Sequence, residues 1–116
     1  MFARSLSVRL KRNKVAEFMR LFDEQTTPLL RQKDGFLHAL TLVSPGGHDV
    51  VAITIWSGKE KAEAYSQSGY ADALQTLRPV LDGTPEVRGF EVCSATFLNT
   101  CATNASLAAA LVVAGE

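Results

Sequence analysis

Twice within its first hundred residues the chain passes from a side-chain period of two to one near 3.6 and back. Few folds accommodate that order. Phe2 to Leu10 alternates, with Leu6, Val8 and Leu10 on one side and Ser5, Ser7 and Arg9 on the other, as in a half-buried strand. At Asn13 the period changes: Val15, Phe18, Met19 and Phe22 recur at helical spacing, with Lys14, Glu17, Arg20, Asp23 and Glu24 mainly opposite. Asn13 suits an N-cap, and Pro28 is expected to kink the helix near its end. Gly35 opens the apolar run Phe36 to Val43. Turn formers occupy Ser44 to Asp49, and Val50 to Trp56 is rich in β-branched residues, so the pair predicts a hairpin. Ser57 and Glu60 have capping-box spacing, which places a second helix directly after Trp56. Gly69 interrupts it; Tyr70, Leu74, Leu77 and Leu81 continue its stripe, and Asp82-Gly83-Thr84-Pro85 closes it. A last strand is expected from about Glu86 to Leu98, with Gly89 as a bulge or bend.

Strand, helix, strand, strand, helix, strand amounts to two βαβ crossovers joined by a hairpin. The expected class is therefore α+β, a ferredoxin-like βαββαβ arrangement whose antiparallel sheet carries both helices on one face. With 116 residues, 47% apolar and 21% charged, the chain has the composition of one globular domain with its own core. That domain is expected over residues 1–99. Residues 100–116 form a tail of small residues, helical from Ser106 or frayed.

Charge and cysteine content narrow the partners. Twelve basic side chains balance twelve acidic ones, so nothing draws the chain toward nucleic acid or anionic lipid. The longest apolar run, Leu107 to Ala114, is far short of the roughly 18 residues of a membrane span, and no secretory signal is visible at Met1-Phe2-Ala3-Arg4. Cys93 and Cys101 are too few for a disulfide scaffold and lack metal-ligand spacing, so no metal is expected and a reduced, cytoplasmic protein is. Arg4, Arg9, Lys11, Arg12 and Lys14 read as a solvated strand end.

A sheet with helices on one face leaves the other bare. If Trp56, Thr54 and Ala52 look toward the helices, Val51, Ile53 and Ile55 look away, an apolar patch that a second copy would bury. A two-fold homodimer with sheets packed face to face is the simplest closed solution; the tail folding back over the face is the other.

Trp56, the only tryptophan, is either a core aromatic or the wall of a pocket that stacks a flat, small aromatic ligand. His38 falls on the same alternation as Phe36, Leu40 and Leu42. If that face meets the helices, its imidazole stands near Trp56 as a neutral base suited to deprotonating a phenol or quinol; otherwise it is a buried histidine bonded to backbone or water. Tyr65 and Tyr70 could donate phenolic hydrogen bonds into the same pocket or simply pack, and Phe22 is a further wall candidate from the first helix.

Trp56-Ser57-Gly58-Lys59-Glu60-Lys61-Ala62, followed by Tyr65, Ser68 and Tyr70, and Gly35-Phe36 after the first helix, resembles the antibiotic biosynthesis monooxygenase family of dimeric α+β barrels over about residues 2–98. The resemblance implies oxygenation of a quinol-type aromatic without metal or organic cofactor, or else a binding role for a small ligand without chemistry. Its departures are specific. Haem-degrading relatives need a histidine on the second helix, and no histidine follows His48. Quinol-oxidising relatives carry an asparagine where Ala52 stands, and many relatives carry histidines where Tyr65 and Tyr70 stand.

Overall fold

The computed structural model describes residues 1–96. Strand β1 (Phe2–Leu10) leads into helix α1 (Val15–Leu21), a π-helical turn (Phe22–Thr26) and helix α2 (Thr27–Arg31). The hairpin β2 (Phe36–Val43) and β3 (Asp49–Trp56) follows, then α3 (Lys59–Ser68), α4 (Tyr70–Leu77), a 3₁₀ turn (Arg78–Val80) and β4 (Leu81–Glu91). The four strands lie in the order β2-β3-β1-β4, every neighbour antiparallel. This is the expected ferredoxin-like α+β architecture.

Several local expectations resolve differently. Asn13 does not cap α1: its φ of 58° places it in the left-handed region, which asparagine tolerates, and it makes the turn out of β1. Helix α3 starts at Lys59 without a side-chain cap, so the Ser57/Glu60 capping box does not form. The Ser57 amide instead donates to the Gly35 carbonyl at 2.8 Å, tying the end of β3 to the start of β2. Gly35 has a φ of 86°, and a Cβ there would fall 2.5 Å from Lys61 Cγ, so only glycine fits this junction.

Pro28 acts upstream of itself. Lacking an N–H, it cannot donate to the Glu24 carbonyl, and the turn just before α2 widens to the π form. Strand β4 begins at Leu81, five residues earlier than about Glu86, because Asp82 and Leu81 pair with Arg9 and Leu10 across a bulge that absorbs residues 83–85. As an edge strand β4 tolerates Pro85 there. Gly89 is in regular register opposite Arg4; its missing side chain makes room for the Phe2 ring, 2.7 Å from where a Cβ would sit. Phe97 and Leu98, Cys101 and the tail lie outside the described residues.

The core lies between the sheet and the helices. Leu6, Val8 and Leu10 of β1 and Val50, Ala52 and Trp56 of β3 pack against Phe18, Phe22 and Leu30 from the first helical arm and Ala62, Tyr65 and Leu77 from the second. Trp56, Thr54 and Ala52 therefore face the helices. Val51, Ile53 and Ile55 face away.

Strand β2 departs from the expected alternation. Phe36 pairs with Trp56, but His38 pairs with Ile55, so Leu37 is an extra residue at a bulge. Beyond it His38, Leu40 and Leu42 stand on the open face beside Ile55, Ile53 and Val51. Leu40 and Leu42, with Phe90 of β4, are about half exposed. The expectation that His38 shares a face with Phe36 and Trp56 is thus corrected: one inserted residue inverts every side chain after it.

Candidate functional site

Between the inner face of the sheet and the helices runs a cleft of ≈ 370 Å³, counted out to its open mouth. The apolar wall comes from Leu6, Phe22, Leu30, Leu74 and Leu77, and the polar groups from Arg4, Thr26, Thr54, Tyr65 and Tyr70. No lining residue is a histidine, cysteine or carboxylate, and among the described residues no cluster of such groups could hold a metal ion.

Of the residues expected from sequence, Tyr65, Tyr70 and Phe22 line this cleft. Each has a local reason. Tyr65 is one helical turn beyond Ala62, the small residue that lets α3 approach the sheet, and is buried. Tyr70 opens α4 just after the Gly69 break, so its ring turns back against Tyr65 with centroids 6.4 Å apart. Phe22 begins the π-helical turn that also delivers Thr26.

Trp56 stands one layer behind. It is completely buried, stacks on Tyr65 at 5.1 Å and 28°, and meets Phe36 edge-on at 5.5 Å. Its indole N–H donates to Thr54 Oγ1 at 2.9 Å, and that hydroxyl donates to the Arg4 carbonyl at 3.4 Å. Trp56 does not line the cleft; it backs the tyrosine that does. His38 lies across the sheet, so the cleft brings together the tyrosines and Phe22 but not the imidazole and the indole.

The polar centre of the cleft is Arg4, which its sequence neighbours group with a solvated strand end. It is only 7% exposed. Alternation alone signals this, since Arg4 falls on the Leu6, Val8, Leu10 side of β1. Its cross-strand neighbours, Thr54 and Gly89, are small enough to leave it space. The guanidinium carbon lies 4.2 Å from the Tyr70 ring centroid and 5.2 Å from that of Tyr65, and Nε donates to Ser66 Oγ at 3.0 Å. Burial holds this group below the usual arginine range, while the two tyrosine oxygens pull it back up. Arginine stays charged throughout. Thr26 Oγ1, also buried in the wall, has no hydrogen-bond partner.

Burial pushes the Tyr65 phenol above its ordinary value, against the opposing pull of Arg4. Above about pH 10 the unfolded chain ionises Tyr65 while the folded one keeps its proton, so the folded state binds more protons and stability falls as pH rises. This contribution is fully present below the unfolded value and is lost through the folded one. Urea midpoints measured from about pH 9 to 11 are expected to decline less steeply in Tyr65→Phe than in wild type; equal slopes would assign the decline to other groups.

No curated protein matches this sequence. Solved structures do match its fold. SnoaB, a cofactor-independent oxygenase from Streptomyces nogalater, is 20% identical with a TM-score of 0.66, over 81% of this chain and 94% of that one. A monooxygenase from the gene ActVA-Orf6 of Streptomyces coelicolor, in complex with the ligand nanaomycin D, is 22% identical with a TM-score of 0.65, over 81% and 88%. NE2512, a protein of unknown function from Nitrosomonas europaea, is 16% identical with a TM-score of 0.68, over 82% and 91%. At these identities the likeness is one of fold. The family model for antibiotic biosynthesis monooxygenases matches residues 1–77, which contain β1 through α4 and every residue lining the cleft. The chain belongs to the antibiotic biosynthesis monooxygenase family.

Proposed function

We propose that the protein is a cofactor-independent monooxygenase for a small hydroxyaromatic, quinol-type substrate. The observation that carries this reading is the cleft, walled by Phe22, Tyr65 and Tyr70 with a few convergent polar groups, in a chain of this family. Fold neighbours include a cofactor-independent oxygenase and a monooxygenase holding nanaomycin D, which support the substrate class. The substrate slides between Phe22 and the tyrosines. Once it has lost a proton it passes an electron to dioxygen, and the two radicals recombine into a peroxide at a ring carbon. Collapse leaves one oxygen atom as the product carbonyl and releases the other as water, the ring carbon supplying all the electrons. The apolar walls protect the peroxide from side reactions. Tyr65, Tyr70 and Phe22 position the ring in this scheme, Trp56 stiffens Tyr65 from behind, and His38 takes no part in the cleft.

The working unit in this proposal is a homodimer. Leu40, Leu42 and Phe90 expose apolar surface on the open face, continuous with Val51, Ile53 and Ile55, and a second sheet would cover it. The reduced, cytoplasmic setting belongs to the proposal too and rests on the low cysteine content. Among the described residues no helix is long and apolar enough to cross a membrane.

A second reading, a dimeric module that binds a small ligand without chemistry, is favoured by one feature: no cleft residue is an imidazole or carboxylate base. Oxygen-electrode assays with anthrone and naphthoquinols separate the two. Wild type and His38→Ala are expected to consume oxygen alike, with one quinone formed per dioxygen. Leu74→Trp, which narrows the cleft, is expected to lower the rate about tenfold or more, a barrier change near 1.4 kcal/mol. No uptake with any substrate, together with saturable binding of the same compounds, would leave the second reading standing.

A further inference from the structure

We propose that Arg4 is the ligand-anchoring residue of the cleft, and that it holds an aromatic ligand by an ionised oxygen carried directly on the ring. The inference rests on the reading of the cleft as a hydroxyaromatic site and adds the group that selects the ligand's anion.

A guanidinium carries five N–H donors and keeps its charge in proteins, and burying it without an anion is costly. Arg4 is buried, yet among the described residues none of the carboxylates engaged in ion pairs is paired with it. The sequence beyond those residues carries a single acidic side chain, Glu116. The Tyr65 and Tyr70 rings soften the burial through their faces, but a ring quadrupole does not neutralise a charge. The folded protein therefore keeps a positive potential inside an apolar slot, where it acts on a ligand far more strongly than it would in water.

The aromatic lining of the cleft and the occupied donors select the anion. Phe22, Tyr65 and Tyr70 line it with aromatic rings, which suits a flat ligand. Nε of Arg4 is occupied by Ser66 and a further donor by the Tyr70 side chain, which removes the side-on, two-point grip through Nε and leaves the remaining outer N–H groups for an acceptor. The unpartnered Thr26 hydroxyl in the same wall is a second polar group that nothing in the described chain satisfies. A ring hydroxyl entering the slot loses its proton to solvent through the open mouth: the O–H bond breaks, the electron pair stays on oxygen, and Arg4 holds the resulting anion. No imidazole is needed for this step. The electron-rich anion is the form that dioxygen oxidises.

The test uses the whole protein under anaerobic conditions, with 4-nitrophenol as the probe and 4-nitroanisole, its methyl ether, as the neutral control. The phenolate of the probe absorbs in the visible, so its ionisation in the cleft is read directly. Bound 4-nitrophenol is expected to titrate about 1–3 pH units below the free compound, the range for an acid beside a fixed opposite charge. It is also expected to bind at least about tenfold more tightly than the ether. Arg4→Gln is expected to bind the two compounds equally and to abolish the titration shift. A bound probe that titrates at or above its free value, an Arg4→Gln protein with the wild-type preference, or no saturable binding of either compound would each overturn the proposal. The wild-type titration decides the matter even if the variant fails to fold. Because no turnover is involved, a shifted probe without oxygen uptake keeps the anchor and removes the oxygenase, and uptake without a shift does the reverse.

Discussion

Trp56→Ala is expected to lower folding stability by about 3–5 kcal/mol, the range for deleting a fully buried large aromatic. Three losses combine at this position. The indole is completely enclosed between Phe36 and Tyr65, so its removal leaves a cavity that flat neighbours fill poorly. Its N–H no longer donates to Thr54 Oγ1, which leaves that buried hydroxyl with only its bond to the Arg4 carbonyl. Tyr65 also loses the ring that fixes its plane, so the cleft wall loosens together with the core. Trp56→Phe keeps most of the packing and drops the hydrogen bond, and about 1 kcal/mol is expected from that change alone. Urea denaturation of the two variants against wild type measures both values. A Trp56→Ala cost under about 1.5 kcal/mol with an unchanged m-value would show that the indole is not the centre of this core.

The second large effect concerns the open face of the sheet. Ile53→Asp is expected to turn the proposed dimer into a monomer while leaving the protomer folded. Ile53 lies mid-strand, opposite Leu40 of β2 and Ser5 of β1, so it stands at the middle of the exposed apolar surface. In a two-fold assembly the substitution appears twice across one seam, placing like charges in a dry contact. Breaking such contacts costs about 3–5 kcal/mol, or roughly two to four decades in dissociation constant. In the isolated protomer the same side chain is only half-buried and the carboxylate reaches water, so folding is affected much less. Sedimentation equilibrium read against circular dichroism separates the outcomes. A variant that remains a dimer would move the seam off this face, and a wild type that sediments as a monomer would remove it.

These two side chains, with His38 and Arg4, show where local pattern ends. Trp56 and Ile53 belong to one unbroken alternation, and their opposite facings were legible because β3 runs straight from Val50 with no inserted residue. The same rule applied to β2 puts His38 on the wrong side, since the Leu37 bulge is set by pairing against β3 and not by anything in the β2 segment itself. Arg4 escapes the local pattern for the opposite reason. Its alternation pointed inward, but a cation beside Arg9, Lys11 and Arg12 reads as solvated, and only the approach of Tyr65 and Tyr70 makes its burial tolerable.

By itself the sequence determined the order of elements, the α+β class, the hairpin and the inward and outward faces of β3. Each follows from the period of side chains along one segment, a property that contacts with the rest of the chain only reinforce. The tertiary structure alone decided that the cleft is built around a buried arginine, that the tryptophan stands behind a tyrosine, and that the histidine looks out across the sheet. Those facts depend on register and on what packs over a residue from a distant segment, where a single extra residue, or two rings arriving from sixty positions away, reverses what the local pattern implies.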